Sequence, residues 1–345
     1  MSILGITCMR NDGAYAPEWI AHHLAAGFDR MLILSHDNTD GTDAVLDGLA
    51  DDPRVAHLSF EPKGKKSVQW QALKLAQDHP WVDETDWMMF FDCDEFLCLP
   101  KGGSLPDFIG SLEKESGGFD ALALPWRLFG SSGQSQASEG LTPERFTRAA
   151  PLDLHFPLGH LFKTLHRPQA FRALGVHRPR AKKSKPARWI GPDGSGLSES
   201  FARNDGAISL YGACKGQPQI WLNHYSLRST EEFIAKRARG LPNHMDREIG
   251  LTYWAERNWN SEKAEEVLPM LEATHSELAR LPDVSAELAI CQDARRALYC
   301  DAMKDIETLR LKFRLELLTG STPPSAQQGR DFLHAQFEIL KKAKV

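Results

Sequence analysis

No Cys-x-x-Cys pair occurs among the six cysteines, Cys8, Cys93, Cys98, Cys214, Cys291 and Cys300. Scattered thiols of this kind argue against a zinc site or a disulfide frame and suit a reducing compartment. No stretch approaches the ~18 consecutive apolar residues that a membrane span requires. The first residues, MSILGITCMRND, carry no basic segment ahead of an apolar one and read as a strand rather than a signal peptide, so the expected compartment is the cytoplasm. An excess of positive charge is also missing. The formal net charge is −5 over 345 residues, which gives no ground for nucleic-acid binding. No internal repeat is visible. Hydrophobic residues make up 42% of the chain, enough for a real core.

The first 125 residues alternate between strand-like and helix-like patterns. Apolar runs at Ile3 to Cys8, Met31 to Leu34, Val55 to Phe60, Trp87 to Phe91 and Ala121 to Pro125 read as strands buried on both faces. Between them, helical patterns begin at Pro17 and stop at Gly27, then cover Thr42 to Leu49, Ser67 to His79 and Ser104 to Glu115. This alternation predicts an α/β fold with a mainly parallel sheet and helices on both faces. Ligands of such sheets bind at the carboxyl ends of the strands, here the loops 10–17, 35–41, 61–67 and 92–96. From Trp126 the pattern changes. A Gly/Ser-rich loop at 130–140 precedes a basic stretch at 160–190, and the chain beyond Thr230 reads as mostly helical. Residues 278–318 predict one or two long helices, in which Met303, Ile306, Leu309, Phe313 and Leu317 recur at core-forming spacing.

The strongest chemical signal is Trp87-Met88-Met89-Phe90-Phe91-Asp92-Cys93-Asp94-Glu95-Phe96. A buried strand delivers two carboxylates, two residues apart, at its carboxyl end. Buried carboxylates need a cation or hydrogen-bond donors, and hard oxygen ligands suit Mg²⁺ or Mn²⁺ with phosphate oxygens completing the shell. The same tripeptide also suits a solvated acidic turn. Gly64-Lys65-Lys66-Ser67 echoes a P-loop, but Ser59 stands where the first glycine belongs. The loop Ser35 to Thr42 offers polar acceptors for a nucleoside, or a turn and helix cap at Asp40-Gly41-Thr42. Arg10-Asn11-Asp12 follows the first strand. His224, after the strand-like Trp221-Leu222, and His177 compete as a third metal ligand, while His22 and His23 read as structural.

Together these motifs resemble GT-A glycosyltransferases of the family 2-like kind, close to family 92 (DUF23-like). The resemblance runs through Arg10-Asn11-Asp12, Glu18-Trp19-Ile20, His23 and Gly27, Asp37 to Thr42, Gln71 and Asp92 to Phe96. It continues through Trp126-Arg127, Phe129 to Gly133, and Asn223-His224-Tyr225 with Arg228-Ser229, Glu231-Glu232-Phe233, Lys236 and Arg239-Gly240. Asp12 replaces the family's usual Glu.

The resemblance implies a GT-A-type, Rossmann-like domain over 1–240, with a nucleotide-binding half at 1–125 and an acceptor-side half at 126–240. Residues 241–345 would form a helical C-terminal extension. It implies metal-dependent transfer of a sugar from a nucleotide-sugar donor, UDP-linked, to a glycan, lipid-linked or other hydroxyl acceptor, with inversion, as in polysaccharide biosynthesis. Asp92, Asp94 and His224 would hold Mn²⁺ or Mg²⁺. Asn11, Asp12, Asp37, Asp40, Gln71 and Asp92 would line the nucleotide pocket, and Lys65 or Lys163 would assist the diphosphate. Inversion requires a carboxylate base, for which Glu144 and Asp153, with Glu139, are the candidates. The basic stretch would contact an anionic acceptor or a membrane surface. Two other classes stay open: a non-catalytic nucleotide- or carbohydrate-binding module, and a metal-dependent nucleotidyltransferase.

Overall fold

Continuous apolar runs make the centre of a nine-stranded sheet. The computed structural model describes residues 1–64, 67–214, 216–240 and 249–342. The strands are β1 (Ile3–Met9), β2 (Arg30–Ser35), β3 (Val55–Ser59), β4 (Trp87–Phe90), β5 (Glu95–Cys98), β6 (Ala121–Leu128), β7 (Phe162–His166), β8 (Trp189–Ile190) and β9 (Trp221–His224). Their order is β3-β2-β1-β4-β7-β6-β9-β5, with β8 pairing off this path to β6. From β3 to β4 all pairings are parallel. β7 then inserts antiparallel between β4 and β6, and β9 runs parallel to β6 but antiparallel to β5. The result is the expected α/β layout, parallel from β3 to β4 and mixed at the other end.

The longer helices are α1 (Ala16–Ala26), α2 (Thr42–Leu49), α3 (Val68–Gln77), α4 (Leu105–Ser116), α5 (Thr230–Arg239), α6 (Leu271–Leu278), α7 (Ser285–Ala302), α8 (Ile306–Leu317) and α9 (Ala326–Lys342). α1 opens with Pro17 in its first turn and closes at Gly27, whose φ of 106° is the left-handed conformation that glycine adopts without a Cβ clash. It is buried on nearly every side because β5 flanks it on one face and α6 on another. Trp19 donates its indole N–H to the Glu95 carbonyl at 2.9 Å, and His22 Nε2 lies 2.8 Å from the Leu97 carbonyl. Burial pushes His22 down to about 4, so both it and the equally buried His23 are neutral packing residues.

The C-terminal helices pack back on this unit, α7 against α5 and α2, and α8 against α5. The helical spacing expected at 306–317 is present, but the stripe named from it is not core. α8 buries Leu311 and Leu315, while Phe313 is 63% and Leu317 64% exposed. Two apolar stripes share this helix, and spacing alone does not tell which one meets α5. No helix among the described residues is long and apolar enough to cross a membrane.

Trp19 links α1 to the acidic turn, so Trp19→Ala should lower stability by about 3–5 kcal/mol, the usual cost of an aromatic-sized core deletion. Urea unfolding should show a lower midpoint at unchanged slope.

Candidate active site

β4 ends at Phe90, in register with Ile6 of β1, and Phe91 continues the ladder by donating to the Ile6 carbonyl at 3.0 Å. The chain then turns tightly. Glu95 N–H donates to the Asp92 carbonyl, and Asp92 N–H donates to Glu95 Oε2, both at 3.0 Å. Asp92 and Asp94 are thereby presented at the strand's carboxyl end, lining a cavity of about 280 Å³ together with Asp12, His177 and His224.

Later strands supply the partners. Lys163 on β7, wholly buried, lies 2.9 Å from Asp92 Oδ2 and 3.7 Å from Glu95 Oε1. His224 stands opposite Glu95 in the β9–β5 register, and its Nε2 lies 3.5 Å from Asp94 Oδ1. Lys236 of α5 reaches Asp94 Oδ2 at 3.0 Å and the Ser226 carbonyl at 2.8 Å. Gln69 donates to Asp92 Oδ1 at 3.2 Å.

Burial opposes the charge on Asp92, but Lys163 outweighs it and keeps the carboxyl below its ordinary range. Burial likewise opposes Asp94, which Lys236 and His224 hold well below that range. Glu95 goes the other way. Burial pushes it well above the carboxylate range, Lys163 opposing and the charges of Asp92 and Asp94 adding to the rise. Burial lowers His224, Asp94 opposing. Its neutral ring leaves Nδ1 buried with no hydrogen-bond partner. His177 is spent differently, with Nδ1 3.0 Å from the Phe162 carbonyl.

These donors fit a hard cation bound through two carboxylates. Each aspartate keeps Oδ1 clear of its lysine, and the neutral imidazole beside Asp94 is a third candidate donor. No cluster of three metal-binding side chains is gathered among the described residues, so ligand oxygens and water would fill the remaining positions.

The nucleotide-side residues fall along a second cavity of about 170 Å³, lined by Asn11, Asp12, Thr39 and Asp40. It shares Asp12, Arg228, Lys236 and Arg239 with the first. Asn11, at φ 52°, stitches the loops after β1 and β2. Its N–H donates to Asn38 Oδ1 at 2.7 Å, and its Oδ1 accepts from Thr39 N–H at 2.8 Å. Asp40 accepts from the Thr42 N–H and hydroxyl at 2.9 and 2.6 Å, just ahead of α2, whose N-cap position is Gly41 at φ 95°. Asp12 is ion-paired to Arg239, which also donates to the Arg10 and Asn11 carbonyls. Asp37 is exposed beside His36, and Gln71 accepts from the Lys63 N–H at 2.7 Å; neither lines a cavity. Lys65 lies outside the described residues.

The base candidates sit elsewhere. Glu144 Oε2 accepts from the Leu141 N–H at 3.0 Å, at the start of the short helix Thr142–Arg145, and its Oε1 lies 2.7 Å from His275. Asp153 and Glu139 are exposed, and none of the three lines either cavity. The residues that do converge, beyond the two aspartates, are cations from α5 and its approach. Glu232, Lys236 and Arg239 recur at i, i+4 and i+7, one helical face, and that spacing was the available signal. Lys163, expected to assist a diphosphate, is instead fully buried against Asp92 and Glu95 and lines neither cavity.

This geometry defines an α/β site that is acidic at one strand tip and cationic around it. The sequence profile of Glycosyltransferase family 92 matches residues 13–191, more than half of the 345 residues, and the chain belongs to that family. A family 92 protein of Ricinus communis is 26% identical over 137 residues, 39% of this chain and 24% of that protein. One from Oryza sativa subsp. japonica is 26% identical over 165 residues, 48% of this chain and 26% of that protein. The chain thus matches about a quarter of the length of these relatives. The crystal structure of S. aureus TarS 1-349 covers 88% of this chain and 90% of its own at 11% identity, with a TM-score of 0.33, a likeness too weak to bear on activity.

Glu232 offers a pH test of the α5 wall. Burial alone would raise its pKa, but Arg145, at 2.6 Å, with Arg228 and Ser229, brings it from 4.5 down to about 2. A depressed carboxylate stabilises the fold above its unfolded pKa and loses that contribution as pH falls through the folded value. Stability should therefore drop by about 3 kcal/mol between pH ~4.5 and ~2 on account of this group. In Glu232→Gln that part of the decline should be missing from chemical-denaturation curves across the same range.

Proposed function

We propose that this chain transfers a sugar from a nucleoside-diphosphate donor, UDP-linked, to a hydroxyl of a glycan or lipid-linked acceptor. The observation that supports this most is that Asp92 and Asp94 at the tip of β4 share one cavity with Lys236, while the buried Lys163 pairs with Asp92 from behind the cavity wall. That cavity borders the pocket lined by Asn11, Asp12 and Asp40. Asp92 and Asp94, with His224, would hold Mn²⁺ or Mg²⁺, which when bound neutralises charge on the departing diphosphate.

The chain's own groups do the rest. Lys236 sits where it offsets charge on both Asp94 and a bound phosphate. Lys163 holds the Asp92 carboxylate, and Glu95 accepts from the Asp92 N–H, so the turn is fixed at both side chain and backbone. Asn11 holds the loops after β1 and β2 at a set distance, so a nucleoside meets a preformed wall. Inverting transfer requires a base at the acceptor hydroxyl. Glu144 or Asp153 would serve only after moving to the cavity, since neither lines it.

The test is a panel of UDP- and GDP-sugars with Mn²⁺ or with a chelator, read by which product leaves. Nucleoside diphosphate released in a metal-dependent way is the expected result. Pyrophosphate release would mark a nucleotidyltransferase, and donor binding without turnover a non-catalytic module. Asp94→Asn should cut turnover by about 10²–10³-fold, measured below the variant's own melting temperature because the substitution also strands the Lys236 charge. Turnover equal to the parent protein would remove the assignment.

A further inference from the structure

Arg228 is built like a ligand-binding group, although no motif singled it out for chemistry. It precedes Ser229, the N-cap of α5, and holds a φ of 57°, a left-handed conformation that a side chain other than glycine adopts at a cost. Its residue is 5% exposed. The guanidinium lies over the Tyr15 ring at 3.6 Å, and its single hydrogen bond among the described residues is a long one, Nε to Thr142 Oγ1 at 3.4 Å. Nη2 is buried with no hydrogen-bond partner.

The neighbouring acids are committed elsewhere. Glu18 accepts from the Thr142 N–H at 2.7 Å and from its hydroxyl. Glu232 is taken by Arg145, Ser229 and Tyr15. Arg295 of α7 donates to the Tyr15 hydroxyl at 2.8 Å and so pins the ring beneath Arg228. No carboxylate lies within ion-pair distance of Arg228 among the described residues.

Arg228, Lys236 and Arg239 form the wall common to both cavities. Lys236 is neutralised by Asp94 and Arg239 by Asp12. Arg228 feels the charges of Glu18 and Glu232 only from beyond ion-pair distance, and it keeps a terminal N–H edge unpartnered there. A buried guanidinium edge left without an acceptor is costly, and a planar fork of N–H groups matches phosphate oxygens.

We propose that Arg228 binds a phosphoryl group of a diphosphate ligand at the junction of the two cavities, pre-set for it by Tyr15 and Arg295. This rests on the transferase reading only for the identity of the molecule that carries the phosphate. That molecule is the nucleotide-sugar donor or a lipid-linked acceptor.

Calorimetric titration with inorganic pyrophosphate, UDP and uridine tests this on the full chain and on Arg228→Gln and Arg228→Lys. Pyrophosphate and UDP should each bind at least about tenfold more weakly to R228Q, with uridine affinity unchanged. R228K should fall between, since it keeps the charge and loses the fork. Pyrophosphate binding equal to the parent in both variants overturns the proposal. So does an equal loss for pyrophosphate and uridine, which marks a collapsed pocket. If R228Q does not fold, R228K decides by the same comparison. A raised KM for the nucleotide sugar assigns the phosphate to the donor, and a raised KM for a diphospholipid acceptor assigns it to the acceptor. Pyrophosphate binding that depends on Arg228 in a protein releasing no nucleoside diphosphate would keep this site and discard the transferase reading.

Discussion

Three carboxyl groups crowd into the four residues Asp92 to Glu95, and the site depends on how their charge is met. Left to themselves, acids this close and this buried would repel one another or take up protons. Two lysines resolve the conflict from far along the chain, Lys163 from 71 residues downstream and Lys236 from 142 downstream of Asp94. Burial and the neighbouring charges push Glu95 above the carboxylate range. The outcome is a turn whose two aspartates are held in the charged form by lysines and line a cavity.

The same constraint explains why the sheet changes direction where it does. Inserting β7 antiparallel next to β4 places Lys163 under Asp92, and running β9 antiparallel to β5 places His224 across from Glu95. A purely parallel continuation would need helical crossovers on the sheet faces between these strands. The short antiparallel pairings bring charged partners in on strands inside the sheet instead. α5 then closes the open side, and α7 and α8 hold α5 in place through packing that begins far beyond the matched family segment.

Much of the first 125 residues was legible because local rules act there undiluted. Pro17 and Gly27 bracket α1, and Thr42 to Leu49 forms α2 as its turn and cap suggest. The apolar run 87–91 can only be a central strand. The position of Asp92 and Asp94 just past that strand's carboxyl end was legible for the same reason. Past residue 126 the elements shorten and pair non-locally, so periodicity loses its hold. The stripe at 306–317 shows this directly: two apolar faces share one helix, and only contact with α5 selects Leu311 and Leu315 for burial.

Sequence by itself determined which carboxylates stand at the strand tip, that the surrounding loops are polar, and the family to which the chain belongs. Backbone propensity and side-chain spacing act over a few residues, and those features need nothing more. Tertiary structure alone decided which cations meet the acids, that Glu144 and Asp153 lie away from the cavities, and that Arg228 is buried with an unpartnered donor edge. Each of these is a matter of register between strands or packing between helices. Coulomb energy depends on the distance between charges in space, which separation along the chain does not reveal.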